Sequence, residues 1–144
     1  CQSVTVPGIS LGEISSPTPF VDMFSPGEKA IYDIINVTFA IDEEMRSWIE
    51  IHNWIRGMTF PENFKEYRDL SKQSKFANKP FPQFSDATLT VYSSAYKPYY
   101  RFNFHDVFPT SLSQFVMSTQ DSPENVVTSD ATFRYTYYDI EKLF

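Results

Sequence analysis

The chain is 144 residues long, 42% hydrophobic and 17% aromatic, with 14 Phe and 9 Tyr. That length can bury one real core, and the aromatic content favours sheet. A net charge of −6 excludes a nucleic-acid grip that works by neutralising phosphates, and the single cysteine, Cys1, excludes an internal disulfide or a cysteine-based zinc cluster.

In chain order, the opening "CQSVTV" is strand-like, with Gln2–Val6 a short candidate. No initiator Met or signal peptide stands ahead of it, so it reads as a truncated N-terminus. "SPTPFVDMFSPGEKAIYDIINVTFAIDEE" follows, from Ser16 to Glu44. Its first half is a long, proline-punctuated connection, and such connections are usually disordered or functional. Phe20, Val21, Met23 and Phe24 make it too apolar for a solvated linker. These residues are therefore expected to be covered by something other than their own domain.

A clean period of two follows, with Ile35, Val37, Phe39 and Ile41 on one face and Asn36, Thr38, Ala40 and Asp42 on the other. Asn36-Val37-Thr38 matches a glycosylation sequon but lies within this strand, and is read as chance. Asp42 is a helix N-cap candidate, Glu43 and Glu44 suit a first turn, and Arg56-Gly57 closes the predicted helix. Met45, Trp48, Ile49, His52 and Ile55 then share one face, the packing stripe, with Trp54 off it. Residues 59–86 lack a steady period and read as a surface excursion, with a short helix over Asn63–Leu70. Ala87, Leu89 and Val91 alternate with Thr88, Thr90 and Tyr92. "AYKPYY" (95–100) turns into a second strand, where Tyr100, Phe102 and Phe104 alternate with Arg101, Asn103 and His105. Gln114–Thr119 is a short candidate, and Phe133, Tyr135 and Tyr137 alternate with Thr132, Arg134 and Thr136. No run reaches the roughly 20 apolar residues that cross a bilayer, so no membrane insertion is expected. The sum is a single mainly β domain over residues 1–144, an antiparallel β-sandwich or partly closed barrel with one packed α-helix.

Chemistry is hard to find. His52 and His105 lack partners at a metal or triad spacing and read as structural histidines. His105 and Asp106 are strand neighbours on opposite faces, which weakens an acid–base reading. A glycosidase-like pair drawn from Asp33, Asp42, Asp86 or Asp106 has no support in spacing. With four glycines, "VPGIS" and "SPGEK" are turns, not phosphate cradles. No catalytic residue, cofactor or metal is assigned. Tyr96, Tyr99, Tyr100, Tyr137 and Tyr138 suit a carbohydrate-binding face, the alternative function, but sheet packing and subunit contacts explain them more simply.

The ordered features carry a resemblance. "VPGISLGEI" after the first strand, a long arm, "PGEKAIYDIINVTFAIDEE" and the helix "MRSWIEIHNWI" come in that order, followed by "SDATLTVYSS" and "ATFRYTYYDI". Together they resemble the tail tube proteins of contractile-tailed bacteriophages of the T4 type, including their baseplate-proximal relatives. The resemblance implies a structural virion protein, not an enzyme, assembled in the host cytoplasm as stacked hexameric rings. Its implied partners are other tail tube, baseplate and sheath proteins, and DNA passes through the lumen without specific binding. It further implies an additional N-terminal strand before Cys1. The arm would be an inter-ring contact through Pro17, Pro19, Phe20, Val21, Met23 and Phe24. The prolines suit that role, since they restrict the free arm and withhold N–H groups from stray strands. Asn36, Thr38, Thr88, Thr90, Arg101 and Asn103 would face the lumen, with Arg101 offset by nearby acids. An initiator or a terminator of the tube fits as well as a repeating subunit.

Overall fold

A computed structural model describes residues 1–59, 64–65, 68–69, 83–118 and 126–144. Its elements run β1 (Ser3–Val4), β2 (Ile9–Pro17), β3 (Asp22–Tyr32), β4 (Ile35–Ala40), α1 (Arg46–Thr59), β5 (Ser85–Tyr92), β6 (Pro98–Leu112), β7 (Thr128–Arg134) and β8 (Tyr137–Lys142). The fold is mainly β and antiparallel, as the alternating patterns require. Six strands form a curled sheet in the order β1-β4-β7-β6-β5, with β8 also paired to β6. β2 and β3 stand apart as a two-stranded ribbon.

β6 is the spine. Its first half pairs with β5 on one side and β8 on the other, and its second half pairs with β7. The switch occurs at His105-Asp106, where two residues of β6 oppose Asp86 alone. Asp106 adopts a left-handed backbone (φ 56°), the conformation that lets a bulge bend a strand. Its N–H donates to Asp86 Oδ1 at 3.3 Å, and its own carboxylate accepts from Thr136 Oγ1 at 3.4 Å. The apolar faces then meet in one cluster of Ile35, Phe104 and Val107, packed against Val37, Leu89, Phe102, Phe133, Tyr135 and Tyr138. Phe104, at 2% exposure, is its centre.

Several expectations need correction. The stretch read as one terminal strand, Thr132–Tyr137, is two, broken at Tyr135-Thr136. Tyr135 turns inward against Phe104 (5.1 Å between rings), and the Thr136 N–H bonds the His105 carbonyl at 3.0 Å. Residues 114–118 form no strand, and Thr119 lies outside the described residues. The opening strand is confined to Ser3–Val4, with flanking bonds from Gln2 and Thr5 to β4. Pro98 to Tyr100 already belong to β6 instead of its turn.

The helix begins later than its acidic residues suggest. Asp42 does cap it, accepting the Arg46 N–H on Oδ1 at 3.0 Å. Asp42–Met45 first forms a turn, with Met45 left-handed (φ 52°), so Glu43 and Glu44 precede the helix and Glu44 pairs with Arg46. The helix also runs past Gly57, which is buried within it. Its inner face is turned by about one residue, roughly 100°. Trp48, Ile51, Trp54, Ile55 and Met58 are half-buried, whereas Ile49 and His52 are exposed. Two indoles explain this phase. Trp48 Nε1 donates to the Ser113 carbonyl at 3.3 Å and its ring meets Phe115; Trp54 Nε1 donates to the Gln83 carbonyl at 3.0 Å and its ring faces Phe133. His52 stacks on Trp48 at the surface. Of the expected helix over Asn63–Leu70, Arg68 N–H donates to the Phe64 carbonyl at 3.3 Å, one helical turn. The rest of it, with most of the 59–86 excursion, lies outside the described residues.

Candidate functional site: an arm and a polar sheet face

The connection over Ser16–Glu28 is regular. Ile9–Pro17 and Asp22–Tyr32 pair as one long hairpin around the Thr18–Val21 tip. Thr18 Oγ1 closes the tip, bonding the Val21 carbonyl and accepting the Val21 N–H at 3.2 Å. Pro17 ends the first strand opposite Asp22, and Met23 and Phe24 lie opposite Ser16 and Ser15. Cross-strand partners share a face and neighbours alternate. Ile14 and Met23 therefore cover one side of the distal arm, and Phe24 and Pro26 the other. None of them is covered. Phe20 at the tip is 98% exposed, and Pro17, Pro19, Val21, Met23 and Phe24 are all exposed.

Sequence reasoning missed that Ile9, Leu11, Ile14 and Ile31 share this exposure. The alternation in "ISLGEI" was the available signal. It also missed the arm's bend. Between Leu11/Ala30 and Glu13/Pro26, three residues of β3 oppose Gly12 alone. There a Cβ on Gly27 would stand 2.5 Å from the Gly12 carbonyl oxygen, so two backbones approach closely enough to require glycine.

The arm's root is tied to the core. Tyr32 meets Tyr135 and Tyr138 edge-on at 5.9 and 5.5 Å. Asp33 N–H donates to the Gly8 carbonyl at 3.1 Å, and Tyr138 Oη to the Pro7 carbonyl at 3.5 Å. The Tyr135 hydroxyl is buried and finds no hydrogen-bond partner among the described residues. Burial, then Tyr138, Asp33 and Tyr32 nearby, pushes its pKa from 10.0 up to about 12.

The six residues of the second expected site all lie on the sheet face turned from the core, because each alternates with a core residue. Pairing brings them together in two groups. Asn36 and Thr38 oppose Thr132 and Asp130; Thr132 Oγ1 donates to Asn36 Oδ1 at 3.0 Å, and Thr38 Oγ1 to Asp130 Oδ1 at 2.6 Å. Thr88 and Thr90 oppose Asn103 and Arg101, which oppose Asp139 and Glu141 in turn. Thr88 Oγ1 donates to Asn103 Oδ1 at 3.4 Å, and Arg101 stands 3.5 Å from Glu141. Beside them His105 Nε2 lies 3.1 Å from Asp139 Oδ2, and its ring stacks on Tyr137. Asp130, Asp139 and Glu141 were missed because the last strand was read only over Thr132–Tyr137, short of all three. Among the described residues this face offers hydroxyls, amides and paired charges.

The five tyrosines of the carbohydrate reading do not all share one surface. Tyr138 packs in the core, Tyr137 lies beside His105 on the polar face, and Tyr96 sits in the β5–β6 turn. Of the four aspartates, Asp86 and Asp106 meet, but their bonds hold the bulge.

The comparisons with known proteins agree with this architecture. A family model described as phage tail tube protein matches residues 1–141. The tail tube terminator protein of Enterobacteria phage T4 is 26% identical over 147 aligned positions, covering 98% of this chain and 76% of that protein. Among solved structures, the tube-terminating cap of the anti-feeding prophage superposes with a TM-score of 0.67 at 12% identity, over 98% of this chain and 79% of that one. The sheath/tube terminator assembly of an extracellular contractile injection system superposes at 0.59 and 15% identity, over 97% and 84%. The match along nearly the whole length makes this chain a member of the phage tail tube protein family, whose role in the tail is structural.

Proposed function

We propose that six copies of the chain form a ring that terminates the phage tail tube and continues its bore, through which the genome leaves. The observation that carries this reading is the β2–β3 arm, apolar on both sides and uncovered by its own domain. A surface of that kind marks an interaction site, and in a tube protein the partner is a neighbouring subunit. Termination, as against repetition or initiation, is supported by the T4 relative, which is itself a tube terminator. Asn36, Thr38, Thr88, Thr90, Arg101 and Asn103 line the bore in this reading. Neutral hydrogen-bonding groups hydrate well, and Glu141 offsets Arg101, so these six residues give passing phosphates little to hold. Other tail proteins bind the ring's outer and lower surfaces as it assembles in the host cytoplasm.

The test is the position and stoichiometry of the protein in a finished tail. Gold-labelled protein should mark the tube end distal to the baseplate, at six copies, and tails made without it should carry tubes of irregular length. Label along the whole tube would identify a repeating subunit, and label at the baseplate an initiator; either result sinks the terminator reading.

A further inference from the structure

A second uncovered apolar surface lies at the free end of the β5–β6 hairpin. Ser93 organises the turn, bonding Lys97 and Tyr96 through its backbone and accepting the Lys97 N–H on Oγ at 3.4 Å. Tyr96 is held in a left-handed backbone (φ 57°) and is 90% exposed, a costly conformation for a bulky residue on which its own domain gains no packing. The C-terminal residues join this end. Leu143 N–H donates to the Tyr99 carbonyl at 3.0 Å, Lys97 Nζ lies 5.5 Å from the Phe144 ring, and Lys142 Nζ lies 6.0 Å from the Tyr99 ring. Phe144 is itself exposed.

The chemistry of this end is the complement of the arm. From Glu13 to Pro26 the arm carries two acids, Glu13 and Asp22, and no base; residues 92–100 and 142–144 carry two lysines, Lys97 and Lys142, and no acidic side chain. None of the four has an ion-pair partner among the described residues. We propose that the surface formed by Tyr96, Lys97, Tyr99, Lys142 and Phe144 receives the arm of a second copy of this chain, within the same ring. Phe20 and Phe24 pack on the aromatic rings while Asp22 meets the lysines, whose cations already sit over those rings. The arm does not fold back onto its own receptor, since Phe20 is bare. A contact between two different patches is head-to-tail, and such contacts close into rings when the rotation permits. The proposal rests on the reading of the arm as a contact between subunits and specifies its seat.

Photo-crosslinking of the full-length chain in assembled rings tests it, with benzoylphenylalanine at position 20 and rings mixed from isotopically light and heavy chains. The expected product joins position 20 of one chain to residues 92–100 or 142–144 of another. Crosslinks to the same chain, to a different surface of a second copy or to another tail protein would overturn the proposal. A crosslink to a different surface of a second copy would leave the arm as a contact between subunits intact, whereas rings that form with no crosslink at all would remove that reading too. A charge reversal gives an independent measurement. Asp22→Lys should abolish rings while circular dichroism shows an unchanged fold, and adding Lys97→Glu and Lys142→Glu to the same chain should restore them. Failure of the restored pair to assemble would equally overturn it.

Discussion

Tyr135 joins its ring to Phe104, Tyr32 and Tyr138 but leaves its hydroxyl buried without a partner among the described residues. Its folded-state pKa of about 12 lies above the ordinary 10.0, so the native state holds the proton more tightly than the unfolded chain. The linked stability is whole below pH 10.0 and falls as pH rises towards about 12. Tyr135→Phe should flatten that alkaline decline. It should also stabilise the protein by about 1 kcal/mol at neutral pH, since an unsatisfied buried hydroxyl costs about 1–3 kcal/mol. Urea titrations across that range measure both effects, and a destabilised variant would mean that the hydroxyl has a hydrogen-bond partner. Trp48 and Asp42 make a second comparison at this scale. Trp48→Ala loses the packing on Phe115 and the bond to Ser113 and should cost about 3 kcal/mol. Asp42→Ala loses one capping bond, at about 1 kcal/mol. Denaturation midpoints in the reverse order would show that the cap, not the indole, fixes the helix.

Among the elements, the arm's shape depends on the approach of Gly27 to Gly12. Gly27→Ala places a methyl group where the Gly12 carbonyl stands, so the ribbon must straighten or shift. The sheet core is separate from the ribbon, so thermal unfolding should stay within about 2 °C of wild type, the shift expected of a change well under 1 kcal/mol, while ring formation fails. Deleting Thr18–Met23 should give the same pair of results. Loss of cooperative unfolding in either variant would show that the arm is part of the core after all. What could be read from sequence follows from which faces are buried. β4, β5 and the first half of β6 were legible because one side of each packs inward and the other is wet. β2 and β3 were not, because Phe24 and Met23 point to opposite sides of a ribbon that has no inside within its own subunit. The helix was found but misphased, since Met45 spends its residue on a left-handed turn and Trp54 competes with Ile49 for the inner face. The β7–β8 break was hidden because Tyr135 keeps the aromatic alternation while the chain changes neighbours.

For the whole molecule, the polar face makes the conduit reading testable. Asn36, Thr88 and Thr90 are suitable for replacement by lysine, because Thr38 lies against Asp130 and a cation there would be neutralised. Rings bearing Asn36→Lys, Thr88→Lys and Thr90→Lys should assemble and release genome more slowly, with the delay growing as salt is lowered, since exposed phosphate contacts strengthen in that direction. Normal release at low salt would remove these residues from the bore. The pairing of β4 with β7 also has a consequence in time. Asn36 and Thr132 bond at a sequence separation of 96, so β4 has no neighbour on that side until almost all of the chain has left the ribosome, and closing so long a loop is slow. The β5–β6 hairpin needs no such wait. During synthesis the arm emerges first, sticky and attached to an unfinished sheet, at the stage when nascent chains aggregate most readily. Its prolines and its acids, Glu13 and Asp22, should therefore matter before the proposed ring assembles, by keeping neighbouring nascent arms from pairing with one another.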